Sequence, residues 1–170
     1  MGGYPHRRLR SGIDVVIEKI VSGGQTGVDQ AALDCGIELG FPIGGWCPAG
    51  RRSERGRIPD AYPLQETESA NYAVRTRWNV RDSDGTLIVS STPLTGGTAL
   101  TLSMAKSQGR PTFSADIDDH ENLANLFADW ITENRIRVLN VAGPRASSDP
   151  EIYDRSRMLL NNLLQPFVTT

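Results

Sequence analysis

Ser22-Gly23-Gly24-Gln25-Thr26-Gly27, with Asp29 close behind, is the stretch whose residue types promise the most chemistry. Glycines let a backbone approach a ligand closely, and hydroxyl and amide side chains add donors. A β-branched run precedes it, Val15-Val16-Ile17 and Ile20-Val21, and Val28, Ala31, Ala32, Cys35 and Leu39 follow at helical spacing. A strand, a turn and a helix in that order set unpaired N–H groups and a helix N-terminus at the strand's carboxyl end. Phosphates and other oxyanions are favoured there. Gly23, Gly24 and Gln25 would form the cradle, with Thr26 offering its hydroxyl. The alternative is a tight strand-to-helix turn that binds nothing. The pattern is neither G-x-G-x-x-G nor G-x-x-x-x-G-K-[ST], so no standard dinucleotide or P-loop fingerprint is present.

Two further loops share this character, Thr95–Thr98 with Gly96 and Gly97, and Gly143–Ser147 with Arg145. Arg145 is placed to pair bidentately with a phosphate, or else to rest on the surface bonded to a carbonyl. Asp29 could touch a ribose hydroxyl or a metal-bound water, yet an Asp in a first turn also simply complements the helix dipole. Cys47 to Asp60 has neither helical nor strand period and carries Arg51, Arg52, Arg55 and Arg57 against Glu54 and Asp60. Long loops of this kind are often functional. Its guanidinium groups, Arg52 among them, would complete an oxyanion site, unless the loop is merely a solvated one.

Acid–base chemistry is sparsely represented. His6 lies in a polar N-terminal stretch and His120 at a helix start, so neither is a persuasive general base. Cys35 falls on an apolar helix face, and Cys47 has no recognisable base or orienting partner. Two cysteines without paired histidines give no zinc spacing and no disulfide framework, so neither a metal site nor a catalytic residue is assigned.

The elements that would position these loops follow from the rest of the chain. Gly40–Trp46 reads as a short strand, Thr67–Arg81 as a helix with Ala70, Ala73, Val74 and Trp78 on its inner face, and Gly85–Ser90 as a buried strand. A helix from Ala99 to Lys106 and a strand at Arg110–Ser114 come next. Asp118 or Asp119 would cap the next helix, Asp118 with Glu121 resembling a capping box, and the helix face is Leu123, Leu126, Phe127, Trp130 and Ile131. Arg137–Ala142 is the last strand, and Asp149-Pro150 opens a helix with Ile152, Leu159, Leu160 and Leu163 as its stripe. Strand and helix alternate throughout. The expected fold is α/β, a Rossmann-like three-layer domain with a mostly parallel sheet of about five or more strands and helices on both faces. Residues 14–170 would form this single domain, with 1–13 a peripheral or disordered tail. In such a sheet all three loops lie at the strands' carboxyl edge, at the topological switch point.

The totals limit the function classes. Eighteen basic residues face 20 acidic ones, for a formal charge of −2. That balance argues against a general nucleic-acid or membrane-surface binder. Lys19 and Lys106 are the only lysines, so the other basic residues are arginines suited to planar oxyanions. No apolar run approaches the roughly 18 residues that span a membrane, and no apolar segment follows Arg7-Arg8, so a cytoplasmic protein is expected.

Ser22–Asp29, Gly45-Trp46-Cys47-Pro48-Ala49-Gly50-Arg51-Arg52, Arg75-Thr76 with Asn79, Asp84–Ile88, Gly96-Gly97-Thr98 and Asn140–Arg145 together resemble the family described as putative molybdenum carriers, or circularly permuted YpsA-like proteins. The resemblance runs from Ile20 to the last helix. It implies a Rossmann-like domain in a superfamily that includes the Lonely Guy nucleotide phosphoribohydrolases and molybdenum cofactor carriers, with dimers or tetramers common. The phosphoribohydrolases carry P-G-G-x-G-T-x-x-E, in which the Glu serves catalysis. Here the matching stretch is Pro93 to Thr101: Pro93, Gly97 and Thr98 match, and Thr101 replaces the Glu. A threonine cannot activate water as a carboxylate does. The expectation is therefore a binding protein for an anionic, phosphate-bearing ligand, by resemblance the molybdenum cofactor or molybdate. A nucleotide- or ADP-ribose-processing enzyme and a nucleotide-sensing module are the alternatives.

Overall fold

The computed structural model describes residues 15–91, 93–119 and 121–169. The proposed tail at 1–13, with His6, and also His120 lie outside the described residues. Five parallel strands form the main sheet: β1 (Lys19–Val21), β2 (Ile43–Gly44), β7 (Gly85–Ser90), β8 (Thr112–Asp116) and β9 (Val138–Ala142), in the order β2-β1-β9-β7-β8. Helices α1 (Val28–Leu39), α4 (Leu123–Glu133) and α5 (Ile152–Leu164) pack together, and α2 (Tyr72–Arg81) packs on α3 (Gly96–Ser107). The fold is the three-layer α/β Rossmann-like arrangement expected. One apolar core joins β1, β7 and β9 to α1, α4 and α5 through Ile20, Val28, Leu87, Phe127, Leu139, Val141, Ile152 and Leu160.

Several local expectations are corrected. Gly40–Trp46 is not one strand. After β2 the chain bends at Gly45 (φ 131°), and β3 (Trp46–Cys47) pairs instead with β6 (Gln65–Glu66). A Cβ on Gly45 would sit 2.3 Å from the Ser22 carbonyl oxygen, so only glycine fits the bend. Helix α2 starts at Tyr72 and not at Thr67, because Asn71 caps it by accepting from the Ala73 N–H at 2.9 Å. Its buried face is Thr76, Asn79 and Val80, while Ala70 is exposed and Ala73, Val74 and Trp78 are half-buried. Asp118 does not cap α4. The Asp118 N–H donates to the Asp116 carboxylate, Asn122 is the flanking residue of the helix, and Leu126 faces outward.

The largest correction concerns Cys47–Asp60. It is no open arginine loop but a packed segment with a short helical turn (Ala49–Arg51) and a hairpin of β4 (Arg52–Ser53) and β5 (Gly56–Arg57). Cys47, Ile58, Tyr62 and Leu64 form a second small core against Leu33 of α1. Irregular backbone leaves carbonyls that need donors. Arg51 is buried and supplies them to Ile58, Pro59, Tyr62 and Leu64 at 2.7–3.2 Å, so its charge serves the fold.

Candidate functional site

Strands β1, β7 and β9 end side by side, and the loops after them surround a cleft of about 570 Å³. Parallel strands direct their carboxyl ends to one edge, and the chain leaves the middle of this sheet toward both sides. The β1–α1 loop and first turn of α1 contribute Gln25 and Asp29 to the lining, the end of β7 through the first turn of α3 contributes Ser90 to Thr98 apart from the undescribed residue 92, and the β9–α5 loop Gly143, Arg145, Ser147, Ser148 and Asp149. Thr101, one turn into α3, also faces the cleft, and its hydroxyl donates to the Gly97 carbonyl.

The first loop behaves differently from the open cradle expected. Ser22 is fully buried and donates its hydroxyl to the Val141 carbonyl at 3.0 Å, tying β1 to β9. Arg75 lies across Gly23 so closely that a Cβ there would be 1.7 Å from Nη1. A Cβ on Gly24 would meet Leu64 at 2.5 Å, and one on Gly27 would meet the Pro144 carbonyl at 2.4 Å. These glycines let other parts of the protein approach the loop. Ser22, Gly23, Gly24, Thr26 and Gly27 are not among the residues lining the cleft. Arg52 is also absent from the lining: its side chain is exposed, and its carbonyl accepts from Gln25 Nε2 at 2.9 Å.

The open helix N-terminus is that of α3. Gly96 and Gly97 are exposed with nothing within 4 Å of a Cβ position, and Thr98 sits just below them, buried. Across the cleft Arg145 lies 4.6 Å over the Tyr72 ring. Arg75 approaches the same ring at 5.9 Å, so α2 presents an aromatic face with guanidinium groups against it. Arg145 makes no ion pair among the described residues, whereas Arg75 holds the Asp29 carboxylate at 3.2 Å.

Asp29 is 4% exposed and also accepts from the Gln25 N–H at 3.2 Å. Burial pushes its carboxyl above the ordinary range, although Arg75 and the Gln25 amide pull the other way. Two polar atoms on this floor, Gln25 Oε1 and Arg75 Nε, are buried without a hydrogen-bond partner among the described residues. Beside the cleft, Glu54 at the β4–β5 tip receives hydrogen bonds from the Thr26 hydroxyl and from the Ser147 hydroxyl and N–H. These donors hold its carboxyl below the usual range. Neither cysteine offers a poised nucleophile: burial pushes Cys35 up to about 11 and raises Cys47 as well.

Of the residues singled out in the sequence, the structure thus brings Gln25, Asp29, Gly96, Gly97, Thr98, Gly143, Arg145 and Ser147 to one cleft. Sequence reasoning missed Arg75 as a member of this site, along with Ser90, Ser91, Ser148 and Asp149. The serines and Asp149 adjoin the strand-end loops and were within reach of the carboxyl-edge rule. Arg75 stood out only as part of the resemblance, in Arg75-Thr76 with Asn79, because it arrives on a helix whose inner face read differently.

No curated protein matches the chain. The crystal structure of a protein named putative molybdenum carrier protein, from Syntrophus aciditrophicus SB, is similar at 46% identity and a TM-score of 0.84, over 91% of this chain and 97% of that one. The model of the circularly permutated YpsA SLOG family matches residues 20–164, a span that runs from the second residue of β1 to the end of α5. The chain belongs to the circularly permuted YpsA SLOG family.

Proposed function

We propose that this protein binds and carries an anionic, phosphate-bearing small molecule, with the molybdenum cofactor or molybdate as the cargo. The observation that carries this reading is Arg145: a guanidinium braced on Tyr72, without an ion pair among the described residues, in one cleft with the open N-terminus of α3. A guanidinium without an ion pair among the described residues and a helix N-terminus both favour an oxyanion, and the Gly96–Thr98 amides supply directional donors. The name of the similar crystal structure supports molybdenum as the element concerned. Among the described residues there is no group of three or more His, Cys, Asp and Glu side chains that would hold a metal ion. Recognition of the cargo is therefore assigned to its oxyanion or phosphate and its organic part.

A second reading, a hydrolase acting on a nucleotide-like compound, draws on Asp29, a cleft carboxyl that burial pushes upward as in many general acids and bases. Thr101, in place of the phosphoribohydrolase Glu, weighs against it, because its hydroxyl is spent on the Gly97 carbonyl. A cytoplasmic homodimer or homotetramer completes the proposal.

A thermal-shift series with molybdate, tungstate, phosphate, AMP, NAD, ADP-ribose and anaerobically handled molybdenum cofactor tests these readings. A ligand at ~100 times its Kd adds ~2.7 kcal/mol of stability. The carrier reading expects a shift with molybdenum cofactor or molybdate that Arg145→Ala removes. A shift with AMP or ADP-ribose alone, accompanied by release of ribose 5-phosphate that Asp29→Asn abolishes, would replace it with the hydrolase.

A further inference from the structure

The Thr26 hydroxyl, first assigned to a ligand in the β1–α1 loop, is already engaged, and by a carboxylate. Glu54 accepts from the Thr26 hydroxyl, from the Ser147 N–H at 3.2 Å and from the Ser147 hydroxyl. Thr26 and Ser147 come from different strand-end loops, and the Ala146 N–H donates to Thr26 Oγ1 at 3.2 Å, which locks the two loops in register. Two hydroxyls and an amide from separate loops, converging on one pair of oxygens, are the donor set of an oxyanion site. The attraction of the nearby Arg145 also favours negative charge there.

The side chain occupying this donor set is easily moved. Glu54 and Arg55 form the exposed tip of a hairpin whose strands are two residues each. Neither belongs to an apolar core cluster, and the tip is organised locally by Ser53, which donates to the Gly56 carbonyl and accepts from the Arg55 N–H. Withdrawing the carboxylate therefore disturbs no packed side chain of the core. Ser147 lines the cleft together with Arg145, so a ligand seated at Arg145 would reach this donor set from inside.

We propose that Thr26 and Ser147 form a second oxyanion subsite, that Glu54 occupies it as a tethered anion, and that the ligands of this cleft carry two oxyanion groups, one of which displaces Glu54. Inorganic pyrophosphate is the simplest probe of that class. The first group's position at Arg145 rests on the functional reading above, whereas the second subsite does not depend on it.

Calorimetric titration of the full chain with orthophosphate and with pyrophosphate tests the proposal in wild type, Glu54→Ala, Glu54→Gln and Glu54→Ala/Thr26→Val. The expected result is pyrophosphate binding at least about tenfold tighter in Glu54→Ala, through charge-assisted bonds newly open to the ligand. Glu54→Gln, which keeps the side chain in place, should gain less, and Thr26→Val should cancel the gain. Melting temperatures of the anion-free variants establish that each is folded, and Glu54→Ala/Thr26→Ser, which keeps the hydroxyl, should retain the gain. Equal gains in Glu54→Ala and Glu54→Gln that ignore Thr26 would overturn the subsite, since only the field at Arg145 would have changed. So would wild-type affinity in Glu54→Ala. Orthophosphate binding by Glu54→Ala/Arg145→Gln separates the two readings: the second subsite then stands even if the assignment of Arg145 fails.

Discussion

Asp29, which lines the cleft, and Gly23, packed against Arg75 outside its lining, show how much one residue decides here. The folded protein binds the Asp29 proton more tightly than the unfolded chain, because burial outweighs the help of Arg75. A carboxyl raised in this sense contributes most to stability below its ordinary value of 3.8, and the contribution falls as pH rises toward the folded value. Urea unfolding of wild type and Asp29→Asn from pH 4 upward should show the wild type losing ground to the variant as pH increases. A difference that stays flat would refute the burial argument. Gly23→Ala tests the same pair from the other side. Its new methyl would sit 1.7 Å from Arg75 Nη1, the far end of a flexible side chain, so Arg75 is pushed off Asp29 while the backbone stays. The expected cost is roughly 1–3 kcal/mol. It should shrink when Asp29 is already Asn, because the two changes remove one interaction, and strict additivity in the double variant would count against that coupling.

Among the elements, the Cys47–Asp60 segment diverges furthest from its sequence reading. Four arginines in an aperiodic stretch suggested a guanidinium cluster beside a ligand, yet Arg51 donates to four carbonyls and Arg57 pairs with Asp60 at 2.8 Å. Arg51→Met should lower stability by roughly 3–4 kcal/mol, at about 1 kcal/mol per carbonyl left without a donor. Arg52→Ala should change stability by less than about 0.5 kcal/mol, as exposed substitutions do. Urea midpoints for the pair check this, and equal effects would reject the division of labour between these neighbours. Helix α2 carries the complementary lesson. It starts at Tyr72, five residues later than its apolar pattern suggests, because Asn71 caps it, and its inner face is the polar Thr76 and Asn79 with Val80. Asn79 bonds both the N–H and the carbonyl of Trp46 at 2.7 and 2.9 Å, fixing β3 beside α2. Apolar periodicity does not register such a polar interface. It therefore did not register that α2 swings Tyr72 and Arg75 over the cleft.

On the scale of the whole molecule, β2-β1-β9-β7-β8 places the last strand in the middle of the sheet, between β1 and β7. The Gly143–Ser147 loop therefore stands between the other two, and the cleft opens where their carboxyl ends meet. The oligomeric state belongs to this scale. Light scattering is expected to give the mass of two or four chains, as the family resemblance implies. A mass of one chain would overturn that expectation.

The sequence alone determined the alternation of strands and helices, the parallel three-layer fold, the glycine- and hydroxyl-rich loops at strand ends and the loss of the phosphoribohydrolase Glu at Thr101. Each is a local pattern, written in spacing of about two or 3.6 residues or in a short motif. Tertiary structure alone decided which loop remains open. Gly23, Gly24 and Gly27 look like a cradle in sequence, yet Arg75, Leu64 and Pro144 fill the space their missing side chains leave, and Glu54 takes the neighbouring hydroxyls. Gly96 and Gly97, with nothing against them among the described residues, stay available. A glycine's open space is visible in the chain, but what enters that space comes from residues tens of positions away, whose arrival depends on how the whole chain packs.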